Sequence, residues 1–296
     1  MRATITTIKK LSVHDGDGLR TTVFFKGCSL QCKWCHNPET QTSEKELAYK
    51  EQKCISCGEC ISLCPANAHS FLNGKHVFKR ENCIACGKCA SACLGNALTL
   101  YGEEISCEKL VSLLLEDKAF YDTTHGGVTF SGGEPLLYAE YIARVEKMLL
   151  DKGVSCNIDT SGNVKFSEIQ KVTELTSVFL YDIKHMDEKR HFFGTGADNR
   201  LIIENLKRLD ALGGRTEIRI PLIPSFNDDV ENIRCTGEFI STLKHCIGVR
   251  VLEYHDLARS KYRSLEKTFH EFTANEKSLS KAESENILEQ YVRILR

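Results

Sequence analysis

The sequence predicts an α/β fold, a partial (β/α)6 barrel carried by residues 1–48 and 101–296, with a small α+β domain of residues 49–100 inserted after the first barrel strand. Three observations support this. Six short runs of β-branched and aromatic residues alternate with segments of helical apolar spacing, the rhythm of a parallel sheet with right-handed crossovers. Residues 49–100 break that rhythm with a cysteine-rich unit that occurs twice in tandem. Polar and glycine-rich motifs recur where the runs end, which is where parallel α/β barrels gather their chemistry. Six strands are too few to close an eight-stranded barrel, so the expected sheet is open.

The first run, residues 21–26 (TTVFFK), reads as a buried strand and leads straight into a loop bearing Cys28, Cys32 and Cys35 in the spacing CxxxCxxC. Thiolates hold iron–sulfur clusters, and a [4Fe-4S] cube needs four protein ligands to close every iron. Only three are local. Outside the insert a fourth could come only from Cys107, Cys156, Cys235 or Cys246, none in ligand spacing with anything, and we read one iron as open. The competing reading is a structural zinc site that recruits His36 as fourth ligand. The four scattered cysteines sit in apolar segments and read as core residues.

The insert repeats KCISCGECISLCPANAHSF as NCIACGKCASACLGNALTL, each with the spacing CxxCxxCxxxC. This resembles the two-cluster run of bacterial ferredoxins, in which the fourth cysteine of each unit ligates the other cluster. The resemblance implies a ferredoxin-like domain with one [4Fe-4S] cluster on Cys54, Cys57, Cys60 and Cys93 and another on Cys83, Cys86, Cys89 and Cys64. Pro65 follows the fourth cysteine of the first unit and Leu94 that of the second, and neither is a ligand. Small residues (Gly58, Ala85, Gly87) around the thiols suit clusters, and two zinc knuckles are the alternative.

After residue 100 the alternation resumes: helix 106–118, strand 128–131, helix 138–152, strand 155–159, helix 165–175 and strand 178–182. Helix 199–212, strand 216–222, helix 229–244, strand 248–254 and a closing helix over about 280–295 complete it. The second strand ends in Ser131-Gly132-Gly133-Glu134-Pro135, where glycines let a main chain come close to a ligand. Asp159 and Thr160 end the third, and Asp182, Ile183 and Lys184 the fourth. Arg219 ends the fifth and His255 follows the sixth. Asp182 and Lys184 could equally be a buried ion pair, and His255 a structural histidine.

The formal net charge of −1 gives no basic excess to suit nucleic acid and no acidic tail. There is no apolar run of signal-peptide or membrane-spanning length, so a soluble, cytoplasmic chain is expected. Eleven of the fifteen cysteines fall between residues 28 and 93, a clustering that points to metal clusters rather than disulfides.

With these residues in view, CxxxCxxC with Trp34 before its third cysteine resembles the signature of the radical S-adenosylmethionine (SAM) superfamily. The longer string GDGLRTTVFFKGCSLQCKWCHN, Gly16 to Asn37, resembles the narrower signature of glycyl-radical-enzyme activating enzymes, with Asp17 where that family commonly has proline. The resemblance implies that SAM chelates the open iron through its amino and carboxylate groups. It implies SAM contacts from Trp34, Cys35 and His36, from Gly132, Gly133 and Glu134, from Asp182, Ile183 and Lys184, and from Arg219 and His255. Asp159, Thr160 and Asp182 would match ligands of a monovalent cation, for which oxygen donors are apt.

The activity so implied is that of an anaerobic oxidoreductase (EC 1.97.1.- type). The reduced cluster passes one electron to SAM, giving methionine and a 5′-deoxyadenosyl radical that takes a hydrogen from a glycine of a partner enzyme. The two insert clusters would relay electrons from a donor such as flavodoxin or ferredoxin, and the chain would work as a monomer. An insert of this kind resembles activases of dehydratase, lyase and decarboxylase partners, acting on glycerol, hydroxyproline, choline, isethionate or hydroxyphenylacetate. Two other functions stay open: a radical SAM enzyme with auxiliary clusters that modifies a peptide or small molecule directly, and an electron-transfer iron–sulfur protein.

Overall fold

A computed structural model describes residues 1–295; residue 296, the last of the second barrel segment, lies outside them. In chain order the strands are β1 (Arg2–Ser12), β2 (Arg20–Phe25), β3 (Glu46–Tyr49), β4 (His69–Leu72), β5 (Lys75–Phe78) and β6 (Leu98–Tyr101). They continue with β7 (Glu103–Ser106), β8 (Gly127–Gly132), β9 (Ser155–Thr160), β10 (Val178–Asp182), β11 (Thr216–Leu222) and β12 (Cys246–Glu253). One sheet runs β12-β11-β10-β9-β8-β2-β1-β7. The six strands from β2 to β12 are mutually parallel and follow one another in sequence order, the arrangement of a (β/α)6 partial barrel.

The sheet has two strands more than the six expected. β1 lies antiparallel on β2, and β7 antiparallel on β1. β1 buries Ala3, Ile5 and Ser12 while the positions between Ile5 and Ser12 are partly or fully exposed, and β7 buries only Ile105, so both carry too few buried apolar residues for a strand signal. Charged, short β7 is also a safe edge. The opposite edge is covered too. The expected closing helix stops at Leu288, and the chain beyond it pairs with Val249 of β12 through Val249 N–H to Arg293 O (2.8 Å) and Leu295 N–H to Val249 O (2.7 Å).

Val23, Phe25, Val128, Phe130 and Ile158 stand in register on one face of the central strands and join the core with Leu110 and Ile142, each side chain contributing about 1.5–3 kcal/mol on burial, while the polar Thr22, Thr129 and Asn157 are buried in register on the other face. The helices Cys107–Leu115, Ala139–Leu150, Phe166–Gln170, Arg200–Ala211 and Val230–Ile240 occupy the expected crossovers, with Leu110, Ile142, Leu149, Leu206 and Ile233 inward. Three helices of the barrel segments were not expected, Lys118–Thr124, Glu188–Thr195 and Arg259–Ser264. The second presents Phe192 and Phe193 to solvent, 60% and 67% exposed, so it lacks the apolar stripe by which helices are read.

Residues 46–101 form a smaller layer from the pair β3–β6 and the hairpin β4–β5. Leu47, Ala68, Phe78, Cys89 and Leu98 make its own buried cluster. The repeat is visible in the backbone: Ala68 N–H donates to Cys64 Sγ (3.2 Å) and Ala97 N–H to Cys93 Sγ (3.3 Å).

Candidate functional site

β2 delivers the chain to the C-terminal edge of the sheet, where the loop of Cys28, Cys32 and Cys35 is pinned from several sides. Gly27 N–H bonds Thr40 O (2.7 Å) and Cys28 N–H bonds Gln41 O (3.2 Å), while Gln31 and Lys33 N–H reach Thr195 O (2.6 Å) and Gly194 O (3.0 Å). The last two acceptors end the unexpected helix Glu188–Thr195, which thereby supports the loop. Trp34 is buried against Phe226 with ring centroids 4.6 Å apart. Lys261 closes the exit with bonds to His36 O (3.1 Å), Asn37 Oδ1 (2.9 Å) and Glu39 Oε1 (2.6 Å).

The end of β8 is stitched to this loop through main chain, with Gly133 N–H on Phe25 O (3.0 Å) and Glu134 N–H on Gly27 O (2.8 Å). Gly132 has φ +114, and a Cβ there would stand 2.3 Å from Phe25 N; at Gly133 it would stand 2.0 Å from Gly27 O. Only glycine allows that approach. Glu134 is fully buried, and its carboxylate accepts from Leu136 N–H (3.2 Å), Thr160 Oγ1 (2.6 Å), Ser161 N–H (3.0 Å) and Ser161 Oγ (2.7 Å). It ties the end of β8 to the end of β9. Burial pushes its pKa up, and those bonds oppose the rise.

A cavity of about 240 Å³ opens where these ends meet. Cys28, Cys32, Trp34, Cys35 and His36 line one side, and Gly132, Gly133, Asp159, Thr160, Asp182, Lys184 and Arg219 the other. Three of the expected contacts are not in its wall. Glu134 spends its carboxylate as described, Ile183 is core at 2% exposed, and His255 is exposed beyond β12, where it stacks on His36 at 3.9 Å and accepts through its carbonyl from His36 Nε2 (3.0 Å). Burial, with His255 adding, lowers the His36 pKa to about 4. Residues the sequence did not single out also line the cavity, among them Asn37, Ser161, Pro221, Ile223 and Tyr254. Each lies next to a strand end or the cysteine loop, the one signal that could have found them.

Charges are arranged across the far wall. Lys184 Nζ is 2.5 Å from Asp182 Oδ2; burial opposes its charge, but Asp182 and the Cys32 sulfur outweigh burial and raise its pKa. Arg219 is not at a strand end as expected but within β11, opposite Asp182 of β10. It reaches Asp159 (3.7 Å), Glu217 (3.3 Å) and His14 O (2.8 Å), and its charge is held against burial by Asp159 and Glu217. Asp159 also accepts from Ser131 Oγ (2.6 Å), and burial lifts its pKa to about 6 although Arg219 opposes this.

Comparison with known proteins decides the family. Residues 22–234 match the radical SAM superfamily. The trans-4-hydroxy-L-proline dehydratase activating enzyme of Clostridioides difficile is 43% identical over 272 residues, which cover 91% of this chain and 90% of that protein. The chain belongs to the radical SAM superfamily, among the activating enzymes of glycyl radical enzymes. The choline trimethylamine-lyase activating enzyme of Oleidesulfovibrio alaskensis is 38% identical over 270 residues, 89% of this chain and 87% of its own length. A radical SAM methyltransferase from Sphaerobacter thermophilus shares the fold, with TM-score 0.55 and 13% identity over 98% of this chain and 76% of that one.

Membership brings one [4Fe-4S] cluster and SAM, and the residues fit both. The loop offers three sulfurs and the cavity no fourth cysteine, the donor count of a cluster with one iron left for another ligand. Burial and neighbouring sulfur raise the pKa of bare Cys35 to about 12, and burial raises Cys28 and Cys32 as well, so the thiols need a metal's charge to ionise. Leu30 N–H donates to Cys28 Sγ (3.4 Å), as backbone does around cluster thiolates.

The insert encloses two smaller cavities. One is lined by Cys54, Cys57, Cys60 and Cys93, the other by Cys64, Cys83, Cys86 and Cys89. His76 borders the first and His69 the second; burial lowers both pKa values, that of His69 to about 4 with His76 adding. Among the described residues no helix is long and apolar enough to cross a membrane.

Proposed function

We propose that this activating enzyme binds SAM in the cavity between the cysteine loop and the ends of β8 to β12, and that a glycine-bearing loop of its partner enters the same cavity. The observation that carries this reading is the single cavity shared by Cys28, Cys32 and Cys35 with the strand-end residues. When bound, the cluster supplies the electron that splits SAM to methionine and a 5′-deoxyadenosyl radical, the species that takes hydrogen from the partner's glycine. The chain's own residues bind, orient and exclude water. Gly132 and Gly133 offer main chain to the amino group of SAM, and Lys184 and Arg219 offer positive charge to its carboxylate. Trp34, Cys35, His36 and Asp182 complete the enclosure, while Glu134, Ile183 and His255 act by holding these neighbours in place. Asp159, Thr160 and Asp182 are candidates for a monovalent cation, because their oxygens share one wall.

Residues 49–100 are read as a ferredoxin-like insert with two further [4Fe-4S] clusters, one on Cys54, Cys57, Cys60 and Cys93 and one on Cys64, Cys83, Cys86 and Cys89. The two four-cysteine cavities support that crossed assignment. The insert would accept electrons from a flavodoxin or ferredoxin, and the chain would work as a monomer in the cytoplasm, without oxygen.

The 43% identical relative makes a trans-4-hydroxy-L-proline dehydratase the first partner to test. Reduced protein, SAM and that enzyme, or another glycyl radical enzyme from the same genome, would be mixed anaerobically and followed by electron paramagnetic resonance. A glycyl radical formed alongside 5′-deoxyadenosine is the expected result. Cleavage of SAM with no radical on any such enzyme would overturn the partner assignment and favour direct modification of a small molecule.

A further inference from the structure

The two halves of the insert run parallel as far as Ala68 and Ala97, then differ at the next position, His69 in the first and Leu98 in the second. His69 opens β4, and the hairpin sets it diagonally across from His76 on β5, since His69 pairs with Phe78 and His76 with Phe71. His69 Nδ1 lies 3.1 Å from His76 Nε2, and the rings stack with centroids 5.1 Å apart. The same His76 Nε2 is 3.3 Å from Cys60 Sγ. Both imidazoles are buried, 4% and 9% exposed, and their other nitrogens, His69 Nε2 and His76 Nδ1, find no partner. His76 is therefore oriented by His69 and by the sulfur, and His69 by His76.

The direction of these bonds follows from the chemistry of a ligand thiolate. A sulfur bound to iron has no proton to give, and a nitrogen lone pair facing it would repel it. His76 Nε2 must then carry the hydrogen and donate it toward Cys60 Sγ, with His69 Nδ1 as the second acceptor. Reduction of a cluster adds negative charge that its sulfurs share, so a donor on one of them stabilises the reduced form more than the oxidised one.

We propose that His76 donates a hydrogen bond to the Cys60 thiolate, positioned by His69, and that this bond selectively raises the reduction potential of the cluster on Cys54, Cys57, Cys60 and Cys93. The inference rests on the reading that the insert holds two clusters. It gives the relay a preferred order of filling, because the imidazole bond falls on Cys60, whereas among the described residues the sulfurs of the other cavity accept from backbone N–H groups of Ala68 and Ala85, and His69 borders that cavity without bonding its cysteines.

The test is a redox titration of the full-length, reconstituted protein at fixed pH, followed by electron paramagnetic resonance, on wild type, His76→Phe, His76→Gln and His69→Leu. The loop cluster is recognised by its response to SAM, which leaves two transitions for the insert. His76→Phe is expected to disfavour reduction in one of them about tenfold, or about 59 mV for one electron, with the other unmoved. His76→Gln, whose amide can still donate, should recover most of that shift, and His69→Leu should lower the same transition. Full iron content with both transitions unmoved in His76→Phe overturns the inference, as do equal shifts in the Phe and Gln variants. If His76→Phe fails to hold its cluster, the decision passes to His76→Gln and His69→Leu, where an unmoved His69→Leu transition overturns the positioning role. Wild type with only about four irons per chain would overturn the two-cluster reading itself, and is told apart by that count.

Discussion

Replacing Glu134 tests how the SAM-facing main chain is held. Its carboxylate joins the end of β8 to Thr160 and Ser161 at the end of β9, next to the Ser131–Asp159 bond, and it accepts from four donors in a fully buried position. Two of those donors, Leu136 N–H and Ser161 N–H, are main chain and cannot turn away. Glu134→Ala leaves both unsatisfied at about 1–3 kcal/mol each and opens a hole, for a total of about 3–5 kcal/mol. Glu134→Gln keeps the shape and one acceptor oxygen but sets its amide N–H against a donor, costing about 1–3 kcal/mol. A domain of ordinary stability survives the second change at 25 °C. Urea unfolding gives the cost, and 5′-deoxyadenosine formation gives the functional effect. Glu134→Gln should keep its loop iron yet cleave SAM more slowly, because Gly132 and Gly133 lose their anchor. A variant within about 0.5 kcal/mol of wild type, with unchanged cleavage, would refute the reasoning.

Glu146 is fully buried, accepts from Thr176 Oγ1 (3.0 Å), and has its pKa raised to about 8 by burial. Because its folded pKa is the higher one, its contribution is fully present below about pH 4.5 and is lost, at about 1.4 kcal/mol per pH unit, as pH rises toward 8. Glu146→Gln should remove that slope, so the stability difference from wild type must grow across the window; a constant difference in urea midpoints contradicts it. Lys184→Met strands Asp182 at the cavity wall and should cost about 3–5 kcal/mol, while the double variant with Asp182→Asn costs less than the two single changes summed. Additive unfolding energies would deny the coupling. Cys57→Ala and Cys86→Ala should each lose about four irons from different cavities and leave the loop cluster responsive to SAM. Iron analysis that shows no loss would remove the insert clusters from the account.

The parts of this molecule that were legible in the sequence are those where one local signal decides the structure. β10 and β11 were read at their observed limits because Val178–Asp182 and Thr216–Leu222 are buried almost throughout. The cysteine loop and the glycine pair were legible because metal ligation and close approach of main chain restrict the residue types severely. What escaped depends on partners distant in sequence. β1 exists because β2 and β7 pair with it, and the tail at Arg293 and Leu295 because β12 has a free edge. The helix ending at Thr195 is fixed by its bonds to Gln31 and Lys33, not by an apolar face of its own. Glu134 was read as a ligand contact from its motif, yet its surroundings show a carboxylate turned inward, a distinction no linear spacing carries. His255 likewise stands next to the predicted place but stacks outside His36.

The most direct test of the central claim, that the cysteine loop and the strand ends form one SAM-cleaving site, is anaerobic cleavage of SAM itself. Reconstituted protein is reduced with dithionite, given SAM, and assayed for 5′-deoxyadenosine by chromatography beside a Cys32→Ala variant. The account predicts product from wild type and none from the variant, with the insert iron of the variant retained. Wild type that carries its full iron yet forms no 5′-deoxyadenosine would contradict it.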